Sequence, residues 1–201
     1  AFKKSDCLMK VLISDKGISG HHHSRKNDFY ETSTDTDSVF DDPDINTVVI
    51  ATRHDLHAEQ VLMALKSNKN IFVEKPLSIT LDEIKAIDSA YRNIEQPPRL
   101  MVGFNRRFSP YIVKMRDLLS KEKEPKSVIM TINAGYIPKD HWTQDPDVGG
   151  GRIIGEACHF IDLMQCLISK NIESCHVTSA KSKPGSKINF DEATITLSFL
   201  D

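Results

Sequence analysis

One short stretch, Asn70-Ile71-Phe72-Val73-Glu74-Lys75-Pro76, limits what this chain can fold into more than any other. Ile71, Phe72 and Val73 form an apolar run of strand length. Pro76 stops it, because proline brings no N–H to a ladder and keeps the residue before it extended. Lys75 is thereby fixed at the end of a buried strand. In an open α/β sheet the carboxyl ends of the strands are where ligands collect, so a lysine held there is placed for chemistry as well as for solubility.

The stretches on either side alternate between strand and helix. Residues 8–13 read as a strand, 17–27 as a poor helix or loop, 29–32 as a short extended piece and 35–40 as a helical turn, which Asp41-Asp42-Pro43-Asp44 breaks. A strand at 47–51 leads to a helix at 56–67 with Val61, Leu62 and Leu65 at helical spacing. After Pro76 a second helix starts at Thr80, with Glu83 completing a capping box and Leu81, Ile84, Ile87 and Tyr91 on one face; residues 99–102 are one more strand. This alternation predicts right-handed crossovers and a parallel sheet.

Beyond Gly103 the rhythm changes. A helix at 110–119 precedes a long strand at 127–134, a loop rich in Pro, Asp and Gly, a helix at 152–168, and two strands near 174–180 and 192–200. The last of these alternates as Ala193, Ile195, Leu197 and Phe199. Strands with few helices between them predict an α+β unit with a largely antiparallel open sheet, so the boundary is expected near Val102. The expected fold class is α/β, with a parallel sheet in 1–102 followed by the α+β unit in 103–201.

Composition narrows the partners. At 201 residues, 39% hydrophobic and 27% charged, the chain is long enough to bury a sizeable core and too polar for a membrane span. A net charge of -2 with mixed signs gives no basic face for nucleic acid or acidic lipid, so a small or neutral partner is expected. Cys7, Cys158, Cys166 and Cys175 lack metal-type spacing, and Cys158 and Cys166 lie too far apart along one helix to bridge. Reduced thiols, and with them a cytoplasmic location, are expected. His21-His22-His23 point in different directions on a helix, so no metal is expected there. The first residues hold no apolar signal core and no starting methionine, which reads as an internal beginning.

Two groups of residues could carry chemistry. Thr52, Arg53, His54, Asp55 and His57 follow one strand and Glu74-Lys75 its neighbour, all at carboxyl ends. The first set also reads as a plain polar loop with Asp55 capping the next helix. The second group lies on the helix from Arg152. At roughly 100° per residue, Ile153, Ala157, Phe160, Ile161, Met164, Leu167 and Ile168 share one stripe, and His159 falls on the opposite side between Glu156 and Asp162. Taken alone, His159 reads as a solvated surface histidine whose basicity those carboxylates raise. Trp142 either covers the site or anchors a loop.

Together, Glu74-Lys75-Pro76, Ala51-Thr52 with His57, the run from Gly103 through Asn105, Arg106 and Arg107 to Pro110, and Gly149-Gly150-Gly151 followed by His159 and Asp162 resemble the glucose-fructose oxidoreductase, inositol dehydrogenase and MocA family. Ala134-Gly135-Tyr136-Ile137-Pro138 and His141-Trp142 are similar to the branch found as the second half of bi-domain oxidoreductases of surface polysaccharide synthesis. The resemblance implies a partial Rossmann domain, a substrate and oligomerisation domain, NAD or NADP as cofactor, and hydride transfer on a sugar, nucleotide-sugar or cyclitol. It implies that Lys75 binds the reacting hydroxyl, that His159 is the general acid/base, that Thr52, Arg53, His57, Glu74 and Pro76 line the cofactor cleft, and that Asn105 and Arg107 border the nicotinamide. Ser14 would lie by the adenosine ribose, where Asp15 argues for NAD and Ser14 with Lys16 for NADP. The family usually has an aspartate at the position of Gly155, so either Glu156 takes its part or the pair is lost. It also opens with a strand and a Gly-rich turn absent from this sequence, so both ends are expected to lie within a longer protein. The alternative is a non-catalytic binding or assembly module.

Overall fold

The computed structural model describes residues 6–179 and 192–200. At its centre β4 (Asn70–Val73) lies between β3 (Thr47–Ile50) and β5 (Leu100–Val102), and all three run parallel. The register places Ile50 beside Val73 and Val73 beside Val102, so the carboxyl ends of the three strands finish level. Between them run α3 (His57–Lys66) and α4 (Leu81–Arg92). Val61, Ala64 and Leu65 of α3 and Ile87 of α4 close over Ile50, Ile71 and Val73 as one buried cluster. Each such aliphatic side chain contributes about 1.5–3 kcal/mol of transfer free energy, which is what holds the Lys75 end of β4 in place.

The parallel Rossmann-type sheet expected in the first unit is present, divided into two parts. β1 (Val11–Ile13) and β2 (Glu31–Ser33) form a separate parallel ladder, with α1 (Gly17–Asn27) and α2 (Asp37–Asp41) following them, and among the described residues no ladder joins them to β3. Strand-helix alternation fixes direction and handedness, but not which strands become neighbours. Lys10 ties the two parts through Asp42 and Asp44, and the buried Lys69 donates to the carbonyls of Asp42 and Ile45 at 2.7 and 2.8 Å.

The capping box of α4 forms as predicted: Glu83 N–H donates to Thr80 Oγ1 and Thr80 N–H to Glu83 Oε2. Of its four expected core positions only Ile87 is buried and Tyr91 packs at the edge of the core, while Leu81 and Ile84 are exposed.

Beyond β5 a 3-10 turn (Asn105–Phe108) leads to α5 (Pro110–Leu119), capped by Ser109. A π-helical turn (Ile153–Ala157) runs into α6 (Cys158–Ile168), and β6 (Ile172–Ser179) pairs antiparallel with β7 (Ala193–Phe199). Ala180, the expected end of β6, lies outside the described residues. Residues 127–134, read as a strand, make no ladder among the described residues, and Ile129 is exposed. Alternating apolar residues favour extended backbone, yet a strand exists only where a neighbour's N–H and C=O groups meet it.

The buried side of α6 also differs from expectation. Of the predicted stripe only Leu167 is buried; the others are half-buried, and His159, Asp162 and Leu163 are buried with it. α5 and the Asn105–Phe108 turn pack against this helix, so a face that is polar by sequence turns inward. No helix among the described residues is long and apolar enough to cross a membrane.

Candidate active site

Lys75 leaves the end of β4 and crosses to the segment before α6. Its Nζ donates to the Gly155 carbonyl at 2.7 Å and lies 3.4 Å from Glu156 Oε1. The π-helical turn supplies that carbonyl, because i→i+5 bonding shifts the carbonyls out of the ordinary helical register. Gly155 is buried so close to the His54 ring that a Cβ would stand 3.3 Å from its Cε1. The Lys75–Pro76 peptide is cis. Glu74, half-buried beside Lys75, lays its carboxylate against Gly103 at the end of β5, and its backbone N–H extends the ladder to Ile50.

One helical turn beyond Gly155 stands His159, at 6% exposure, a correction to the surface histidine that periodicity alone suggests. Its Nδ1 is buried without a hydrogen-bond partner among the described residues, and the Phe104 ring stands edge-on at 6.1 Å. Burial pushes its basicity below the ordinary value, and the positive charges of Lys75 and Arg106 push the same way. Glu156 and Glu74 oppose this but do not win. The expectation of a histidine made more basic by its carboxylates is thus reversed, because desolvation outweighs charges that stay partly in water. The neighbouring Cys158 thiol is pushed up to about 11, chiefly by burial, which leaves it an inert packing group.

Asp162 does not serve His159. It takes both prongs of the Arg107 guanidinium, Nε to Oδ2 at 2.9 Å and Nη2 to Oδ1, and is 8% exposed. Arg107, expected at the nicotinamide, is committed to this pair. Its neighbour Arg106 takes the cleft side instead: it lies over the Phe160 ring at 4.6 Å, with Nη2 3.9 Å from Glu156 Oε2. Nothing in the sequence separates two adjacent arginines; the 3-10 turn does, by sending them in different directions. Asn105 is exposed on the same turn.

The loop after β3 divides its tasks. Thr52 is exposed and donates to Gln60 Oε1. His57, expected to line the cleft, lies fully buried beneath it, with Nδ1 2.7 Å from the Pro76 carbonyl and Nε2 3.2 Å from that of Thr52. It bolts the end of β3 to the end of β4. Asp55 makes no cap bond with α3, and its Oδ1 is buried without a partner among the described residues. Arg53 lies 5.8 Å over the Trp142 ring, and Trp142 meets His54 edge-on at 4.8 Å. His54 Nδ1 is 2.8 Å from the Gly149 carbonyl, and Asp55 N–H donates to Val148. Burial lowers the basicity of His54, partly offset by that carbonyl.

Trp142 is therefore an anchor that seats the 141–151 loop on the end of β3. Glycine is required there: at Gly149 a Cβ would fall 2.3 Å from Thr143 Cα, and Gly150 holds φ at +74°. Ser14 sits apart, at the end of β1, where its Oγ accepts from Lys16 N–H. Groups of His, Cys, Asp and Glu able to hold a metal ion do not occur among the described residues.

Residues 2–104 match the profile of the GFO_IDH_MocA family, an oxidoreductase family with an NAD-binding Rossmann fold. The chain belongs to this family. It is 31% identical to the levoglucosan dehydrogenase of Pseudarthrobacter phenanthrenivorans over 81% of its own length and 43% of that protein. It is 26% identical to the inositol 2-dehydrogenase of Mycolicibacterium smegmatis over 94% of its length and 61% of that protein. The chain spans about half the length of the curated relatives it matches. In fold it matches levoglucosan dehydrogenase in complex with NADH and levoglucosan (TM-score 0.74, 24% identity, 96% of this chain and 55% of that one). It likewise matches the myo-inositol dehydrogenase of Lactobacillus casei in complex with NAD(H) and myo-inositol (TM-score 0.72, 22% identity, 98% and 59%). These structural likenesses show the fold alone.

Proposed function

We propose that the chain is part of an NAD- or NADP-dependent oxidoreductase that moves a hydride between a nicotinamide and the hydroxyl or keto carbon of a sugar, nucleotide-sugar or cyclitol. The observation that carries this is Lys75 Nζ lying against Gly155 and Glu156, one helical turn from a buried His159. Relatives named as levoglucosan and inositol dehydrogenases support the substrate class.

The residues present fit a nicotinamide dinucleotide. Thr52, Arg53, Glu74 and Lys75 stand side by side at the carboxyl ends of β3 and β4, and the unpartnered Nδ1 of His159 lies at the same corner. Ser14 at the end of β1 would lie toward the adenosine ribose and Asn105 toward the nicotinamide. The bound cofactor supplies the hydride acceptor or donor. Lys75 donates to the reacting oxygen and orients it. His159 removes the hydroxyl proton on oxidation and returns it on reduction, which its neutral, desolvated ring suits. Glu156 holds Lys75 in position, the part its place beside Gly155 suggests. The unit boundary near Val102, a cytoplasmic location and self-association through the β6–β7 sheet belong to the same reading.

Titrating NADH and NADPH into the full-length gene product tests it, and failure of both to bind would remove it. Lys75→Ala and His159→Ala should each lower kcat by about 10²–10⁴-fold with the fold intact; near-normal rates in both would remove the site assignment. A second reading, a non-catalytic binding module, draws on Gly155 in place of the usual acid. Cofactor binding without turnover on a panel of sugars and cyclitols would favour it.

A further inference from the structure

We infer that Arg107 and Asp162 are a positioning pair: their two-pronged ion pair fixes α6 against the end of β5 and so sets the approach of His159 to Lys75. The inference rests on the reading of Lys75 and His159 as the reacting pair.

The path between the two reacting side chains is short, and the ion pair closes it. Val73, just before Glu74-Lys75, is the ladder partner of Val102, and the chain continues from Val102 through Phe104 into the 3-10 turn that carries Arg107. Arg107 then grips Asp162, one helical turn past His159 on α6. Among the described residues His159 has little else to orient it: its Nδ1 is unbonded, and its ring contact is the edge of Phe104, on the same segment as Arg107. The charged groups that face it, Lys75, Arg106, Glu156 and Glu74, act through space. The direction in which His159 points therefore follows from where α6 sits. A planar fork on a carboxylate fixes distance and angle together, which a point charge does not, so lysine at 107 would keep the attraction and lose the alignment.

The test is made on the full-length protein. The double variant Arg107→Gln/Asp162→Asn removes the fork while leaving the pair's net charge at zero. Its kcat should fall about 10–100-fold, the scale of an ångström of misplacement, with NADH affinity unchanged. Followed by NMR, the His159 ring should titrate closer to the ordinary histidine value than in the wild type, because water reaches it. Arg107→Lys, which keeps the charge, should fall between the two and serves if the double variant does not fold. A pair that only stabilises the fold would lower the thermal midpoint and leave both kcat and the His159 titration at wild-type values; that result overturns the inference. Should the wild type bind neither NADH nor NADPH, the reading of the site fails, while the His159 titration still decides whether the pair orients the ring.

Discussion

In the proposed site, burial is what would suit His159 to act as a base. A neutral imidazole is the form that accepts a proton, and it exists above the group's titration point. With burial, Lys75 and Arg106 all lowering that point, the acid limb of kcat/KM for oxidation should lie below pH 6.5. Arg106→Gln removes one of the positive charges and should move the limb upward; a pH profile of the two proteins measures it. A shift in the other direction would mean that Arg106 acts on some other group. None of this is readable from the helical wheel, where His159 lies on the polar side. The wheel knows spacing within one helix, not what packs against it.

At the scale of elements, local chemistry was legible and docking was not. The Thr80–Glu83 box depends on residues three apart and forms as the sequence predicts. Thr80→Ala should therefore cost about 1 kcal/mol, seen as a lower midpoint in urea with the slope unchanged. The 141–151 loop is the opposite case. Its glycines announce a tight turn, but its destination on His54 and Arg53 lies about ninety residues back in sequence. Because Trp142 is the only tryptophan in the chain, its emission reports this contact directly. Gly149→Ala must force residues 149 and 143 apart within the loop, so the emission should shift to the red as Trp142 leaves the His54 ring; an unchanged spectrum would show that the loop accommodates the methyl group while docked.

At the scale of the molecule, β6 and β7 present an apolar face. Val177 pairs with Ile195 and Cys175 with Leu197, and Val177 is 54% exposed. If self-association uses this face, Val177→Asp in the full-length protein should lower the mass seen by light scattering to that of a monomer, and an unaltered assembly would move the interface elsewhere.

The sequence by itself determined what short-range chemistry controls: the buried strand ending at Lys75, the parallel crossovers through α3 and α4, the capping box, and the glycine turn before α6. Its resemblance to a family supplied Lys75 and His159 as partners. Tertiary structure alone decided that residues 127–134 have no ladder among the described residues, that His57 lies under the cleft, that Arg106 faces it while Arg107 holds Asp162, and that the polar side of α6 turns inward. The reason is common to all four. Spacing along a chain specifies which residues share a face, whereas burial and ion pairing depend on what arrives opposite that face from elsewhere in the chain. The strand ending in Glu74-Lys75-Pro76 could place its lysine by itself; only the packing of α6 could give that lysine Gly155, Glu156 and a buried histidine to work with.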